Sequence, residues 1–284
     1  MADITIVTAF FDIGRGNSRV GERIMPEYFI RSTDTYFEYF SHMAKLENDM
    51  VIFTTEEFKE RILSLRKGYG NTNVVIFDFH NRLPLIKKMI AKVQQNPDFI
   101  NRVNSDQIQN IEYWFPEYVL VNQLKTYFVN KAIYDGLTKH DLVAWVDFGY
   151  CRSTETLGKI KKWQYDFDRR FIHLFSIEKK VKLNSYEDVL CFIFNNQVYL
   201  IGGCIIGTKE KWLSFLKLLY QNQKMLLKEN IIDDDQGIYA MCLFKKPELF
   251  QINYLGKEQW FSLFKKYDKY SKISLLQKIK DWLI

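Results

Sequence analysis

At 284 residues, with 47% hydrophobic and 26% charged residues, the chain has the ordinary globular mix, which excludes a disordered chain and allows a core without staples. The net charge of +6 is concentrated at one end, where seven lysines face three acids between Gly256 and Ile284. The rest is close to neutral and lacks the basic face of a nucleic-acid binder. No apolar run approaches the ~18 residues of a membrane-spanning helix. Met1 leads directly into strand-like sequence with no signal peptide, so a cytoplasmic protein is predicted.

Asp3 to Phe11 is β-branched and aromatic and breaks at Asp12-Ile13-Gly14-Arg15-Gly16-Asn17, a first strand followed by a glycine-bearing loop. The glycines match neither a dinucleotide fingerprint nor a P-loop. Arg15 is therefore either a phosphate ligand or a solvated loop residue. Apolar residues at helical spacing predict a helix over Pro26 to Leu46, a strand follows at Met50 to Thr55, a helix at Glu56 to Lys67, and a third strand at Asn73 to Phe79. Strands alternating with helices indicate a mostly parallel, Rossmann-like sheet. Residues Pro84 to Asn110 read as helical. Val121, Leu124, Phe128 and Ala132 form the apolar stripe of a further helix, with Lys125 beside it as a snorkelling surface lysine or a site residue.

Leu142-Val143-Ala144-Trp145-Val146-Asp147-Phe148-Gly149 is the stretch around which the rest is organised. An apolar run stopped by an acid fits a central strand covered on both faces, with Asp147 at the carboxyl edge where open α/β sheets bind ligands. Asp147 could equally open a turn. Gly149 would allow close approach to that acid. Phe171 to Phe175 is strand-like and makes His173 a core or edge histidine. Val189 to Phe194 and Gln197 to Ile201 read as two strands of a hairpin joined by Asn195-Asn196. Gly202 and Gly203, followed by Cys204, are two glycines at a strand end, which points either to close approach of a ligand or another backbone or to a bulge. Thr208 caps a long helix from Lys209 to about Glu229.

Asp233, Asp234 and Asp235 precede another apolar helical run. One acid suffices to cap a helix, so three followed by Gln236 suggest polar work in a site. The four cysteines have no metal-ligand spacing and read as reduced, buried thiols. Ser271 to Ile284 predicts an amphipathic helix that docks on the body or touches anionic lipid at the inner face of a membrane. Aromatic residues, at 16%, are abundant enough to line a sugar or nucleobase pocket.

Ile6 to Gly16, Trp145-Val146-Asp147-Phe148-Gly149 and Asp234-Asp235-Gln236 together resemble the HtrL/YibB family of bacterial proteins, over nearly the whole chain. That family is associated with lipopolysaccharide and surface-polysaccharide loci, and its layout is similar to the GT-A class of nucleotide-sugar glycosyltransferases. The resemblance implies a GT-A-like domain over 1–255 and a basic helical tail over 256–284. It implies donor binding by Thr8, Ala9, Phe10, Asp12, Arg15, Lys125, Asp147, Gly149, Gly202 and Gly203, and catalysis by Asp234, Asp235 and Gln236. A divalent metal, Mn²⁺ or Mg²⁺, is implied on Asp147, although the second acid of the usual motif is replaced by Gly149. The implied substrates are a nucleotide sugar and a glycan or lipid-linked glycan acceptor, with no nucleic acid. The alternative is a catalytically silent GT-A-like module that binds a glycan or a partner protein.

Overall fold

The computed structural model describes residues 1–20 and 23–269. Seven strands form one sheet: β1 (Ile4–Phe10), β2 (Met50–Thr54), β3 (Thr72–Ile76), β4 (Leu142–Val146), β5 (Ile172–Ser176), β6 (Leu200–Thr208) and β7 (Phe250–Tyr254). Their order is β3-β2-β1-β4-β6-β5-β7. All pairings are parallel except those of β6 with β4 and β5. The α/β fold with a mostly parallel central sheet flanked by helices is the one predicted.

β1, β2 and β4 are covered on both faces, which is why their sequences show apolar runs in place of alternation. Side chains still alternate between the two layers. Val143 and Trp145 join Val7, Val51, Phe128 and Trp212 on one face, and Ala144 and Val146 join Ile6, Ile52, Phe40 and Trp163 on the other. At the roughly 25 cal/mol gained per Å² of apolar surface removed from water, these two layers dominate the stability of the fold.

Helix α1 (Thr33–Met43) begins later than predicted, because Ser32 accepts a hydrogen bond from the Thr35 amide and sets the start. Helix α2 (Lys59–Arg66) ends in Arg66, which is buried and donates to the carbonyls of Ala44, Leu46, Asn48 and Gly70, tying the turn before β3 to the end of α1. The predicted third strand stops at Ile76, and Asp78 caps a short helical turn at Asn81. The long helix expected from Pro84 to Asn110 is α3 (Pro84–Gln94) followed by a separate turn. Pro97 cannot continue a helix, and Asn96 caps the new start. Helices α4 (Pro116–Gln123) and α5 (Lys125–Tyr134) lead to β4.

The hairpin expected between Val189 and Ile201 is absent. Residues Tyr186–Phe194 form helix α6, opened by a capping box in which Ser185 and Asp188 bond each other's amides. Asn196, at φ +46°, is the left-handed residue after the helix, and the Gln197 amide returns to the Phe192 carbonyl. The asparagine pair thus stops a helix where a hairpin turn was expected, and the strand begins at Leu200. Thr208 caps α7 (Lys209–Lys228) as predicted, its hydroxyl accepting from the Lys211 amide. Helix α8 (Gln236–Lys245) packs against α6 and α7.

His173 is buried, with Nε2 beside the Asp168 carbonyl and Nδ1 beside the Asn253 amide, and burial lowers its pKa. Cys151, Cys204 and Cys242 are buried free thiols, but Cys191 is exposed because it faces outward from α6. Leu263 and Phe264 join the core beside Trp163, and the Trp163 indole donates to the Tyr267 carbonyl. The tail helix expected at Ser271–Ile284 lies outside the described residues. No helix among the described residues is long and apolar enough to cross a membrane.

Candidate active site

The carboxyl ends of β1 and β4 open onto a cavity of about 300 Å³. Because β6 runs antiparallel to β4, with Val146 paired to Cys204, its first half delivers Gly202 and Gly203 to the same edge. The Asp147 amide donates to the Gly203 carbonyl and extends that pairing to the acid itself. Helix α5 presents Lys125, and the start of α8 presents Asp234, Asp235 and Gln236.

Lys125 is the centre of this cluster. Its buried ammonium lies 2.6 Å from Asp235 Oδ2, 3.0 Å from Asp147 Oδ1 and 3.1 Å from the Gly202 carbonyl. These contacts account for its three N–H groups. Burial would lower its pKa, but the facing Asp147 and Asp235 carboxylates outweigh burial and hold it above the usual lysine value. A snorkelling role is therefore excluded.

The three consecutive acids have three different surroundings. Asp233 is buried, and its Oδ2 accepts from the Gly237 amide in the first turn of α8 at 2.6 Å. Asp234 is half-buried at the cavity wall, and its Oδ1 accepts from the Asp235 amide. Asp235 faces Lys125. Burial raises the pKa of all three, and Glu112, behind them on the turn Ile111–Tyr113, is pushed up to about 8 by burial and by Asp234. Gln236 lines the cavity, and its Oε1 has no partner in the structure.

The glycines have steric reasons. A Cβ on Gly202 would lie 2.0 Å from Asp235 Oδ2, so only glycine leaves room for that carboxylate. A Cβ on Gly149 would lie 3.1 Å from the Tyr36 ring, whose hydroxyl receives a 2.6 Å hydrogen bond from Arg15 Nη1. Gly203 borders Tyr150 and Asp147.

In the first-strand loop, Ala9, Phe10, Asp12 and Arg15 line the cavity. Asp12 ties the loop together, accepting from the Gly14 amide and the Thr33 hydroxyl. Thr8 is fully buried within the sheet and does not line the cavity, and neither does Cys204.

The donors at Asp147 do not fit a preformed divalent-metal site. The carboxylate already accepts from Trp145 Nε1 at 2.7 Å and is paired with Lys125. Where a second acid would help, Phe148 stacks on Phe40 in the core and Gly149 has no side chain. Among the described residues no group of three or more His, Cys, Asp or Glu side chains could hold a metal ion.

A family described as bacterial protein of unknown function (HtrL_YibB) matches residues 2–269. The chain belongs to the HtrL/YibB family. A relative of this HtrL/YibB chain, Protein HtrL from Escherichia coli strain K12, is 47% identical over 261 residues, covering 92% of this chain and 91% of that protein. Solved structures similar to it include 4-diphosphocytidyl-2C-methyl-D-erythritol synthase from Anaerococcus prevotii, with TM-score 0.37 and 12% identity, covering 99% of this chain and 95% of that one. Another is core-mannan synthase A from Aspergillus fumigatus in a Mn/GDP form, with TM-score 0.41 and 10% identity, covering 89% and 73%.

Sequence reasoning on this HtrL/YibB chain missed Arg31, Tyr36, Tyr118, Arg152, Trp260 and Phe261, which also line the cavity. The aromatic surplus was the one compositional signal for four of them. Arg152 follows Asp147 by five residues, close enough to have been considered with it.

Proposed function

We propose that the chain is a GT-A-like glycosyltransferase that moves a sugar from a nucleotide-diphosphate donor onto a bacterial surface glycan such as lipopolysaccharide, lipooligosaccharide or capsule. One observation carries this reading: a single cavity at the carboxyl edge of a parallel sheet has guanidinium groups on the side of the first-strand loop and carboxylates with an amide on the side of α8. Sugar transfer needs both. The bond from the anomeric carbon to the diphosphate oxygen breaks and leaves negative charge on the phosphate. A new bond forms from the acceptor hydroxyl to that carbon, which carries positive charge in between.

Arg15 is placed for the phosphate side. Asp234 takes the acceptor proton in this reading: it is half-buried at the cavity wall, and burial raises its pKa above the ordinary carboxylate value. Asp235, fixed by Lys125, steadies the positive charge on the sugar. Gln236, with its unpartnered carbonyl, orients a sugar hydroxyl. Aromatic rings at the mouth, Tyr36, Tyr118 and Phe261 among them, suit a base or sugar face.

Titration calorimetry with UDP, GDP, CMP and dTDP tests the reading. Saturable binding of at least one of them, lost on addition of the matching nucleotide sugar as competitor, is the expected result. Heat indistinguishable from dilution for all four, with and without Mn²⁺, would remove its basis.

A further inference from the structure

Arg15, Arg31 and Arg152 come from three separate places, the first-strand loop, the entry to α1 and the loop after β4, yet all line the same cavity. Among the described residues none of them lies within ion-pair distance of a carboxylate. Neutral groups hold Arg15 and Arg152 instead. Arg15, only 7% exposed, donates to the Tyr36 hydroxyl and to the Phe29 carbonyl at 2.9 Å, while its Nε is buried without a partner. Arg152 lies over the Tyr39 and Phe261 rings, 4.6 and 5.2 Å from their centroids, and its Nε is also unpartnered. Burial lowers the pKa of Arg31, and the charges of Arg15 and Arg152 lower it further, so the three guanidiniums sense one another.

Gathering three like charges without a counter-ion is unfavourable unless an anion binds there, and planar guanidiniums match phosphate oxygens in pairs. Across the cavity, Asp147 is committed to Lys125 and Trp145, and Lys125 has no N–H left for a phosphate. Lys125 thus offsets part of the negative charge of Asp147 and Asp235, a charge that would otherwise oppose the approach of a diphosphate without a metal ion.

We propose that Arg15, Arg31 and Arg152 bind the donor diphosphate directly, and that the Lys125 ammonium does for Asp147 what a divalent cation would do, so that donor binding is metal-independent. This rests on the nucleotide-sugar reading of the same site. No metal takes part in the step: the arginines hold the leaving diphosphate and its developing charge.

The test is calorimetry of the full chain with UDP, GDP and dTDP, in EDTA and in Mn²⁺, for the wild type, Arg31→Ala, Arg152→Ala and Arg152→Lys. Thermal melts confirm that each variant folds. The wild type should bind its preferred diphosphate in EDTA within about threefold of its affinity in Mn²⁺. Each alanine variant should lose about tenfold or more in both buffers, because a charge-assisted contact to phosphate is removed. Arg152→Lys should recover only part of that loss. Binding seen only in Mn²⁺ would overturn the inference and leave the transferase reading intact. Unchanged affinity in folded Arg31→Ala and Arg152→Ala would also overturn it. Absence of binding in both buffers would overturn this inference together with the reading beneath it.

Discussion

Gly202 and Asp235 occupy one volume: a Cβ on the glycine would sit 2.0 Å from a carboxylate oxygen of the acid, 33 residues later in the chain. The glycine at the start of β6 therefore makes room for a carboxylate, and its carbonyl accepts from the same lysine that pairs with that acid. Gly202→Ala must displace Asp235 and should destabilise the fold by about 1–3 kcal/mol. In the Gly202→Ala, Asp235→Ala double variant the clash is gone, so the two losses should fall short of adding by about 1 kcal/mol or more. Urea unfolding of the four proteins in this cycle measures the coupling, and strict additivity would mean that the two residues do not meet.

Lys125→Met keeps most of the side-chain volume but strands Asp235, which is 3% exposed, without a cation. Breaking a buried pair in this way costs about 3–5 kcal/mol. The cost should be larger at pH 8 than at pH 5, since at the lower pH Asp235 can take up a proton and avoid the buried charge. A loss of less than 1 kcal/mol at both pH values, read by denaturant unfolding, would contradict the pairing.

Glu112 makes a separate pH prediction. Burial first, and then Asp234, raise its pKa from an ordinary 4.5 to about 8, so the folded state holds a proton that the unfolded chain gives up earlier. This contribution to stability is complete below about pH 4.5 and is lost as pH rises through about 8. Glu112→Gln keeps the neutral shape without a proton to lose. Its melting temperature should fall less than that of the wild type between pH 5 and pH 8.5, and parallel melting curves across that range would count against the buried, protonated acid.

Tyr36→Phe removes the hydroxyl that receives the 2.6 Å hydrogen bond from Arg15 and leaves the ring against Gly149. Nucleoside-diphosphate affinity should drop by about threefold to tenfold, the worth of one hydrogen bond to a charged group that water partly replaces. Thermal stability should hardly change. A large stability loss with unchanged affinity would make Tyr36 a packing residue only.

Local pattern carried much of this site. An apolar run ending at Asp147 announces a covered strand and its carboxyl edge, and three acids before a helical run exceed what one cap requires. The rest depends on residues far apart in sequence. Nothing next to Lys125 says that its ammonium will meet Asp147 and Asp235, because that depends on α5 and α8 crossing the same strand ends. Arg31 and Arg152 join Arg15 only when α1 packs beside β4. The misread hairpin has a local cause instead: Ser185 and Asp188 form a capping box, a helix-start signal that the hairpin reading leaves out, and the β-branched and aromatic residues after them also suit a strand. Gln197 and Asn196 then close that helix, a role that resembles a hairpin turn in composition.

Sugar transfer by the proposed site is tested by release of free nucleoside diphosphate from a nucleotide sugar when acceptor glycan is added, for the wild type and for Asp235→Asn. The wild type should release nucleotide only when both substrates are present. Asp235→Asn should bind the donor within a few-fold of wild type but turn over about 100-fold more slowly or worse, since its charge is needed in the transition state rather than for binding. A wild type that binds donor and releases nothing with any surface glycan, or a variant that loses binding and turnover equally, would contradict the account.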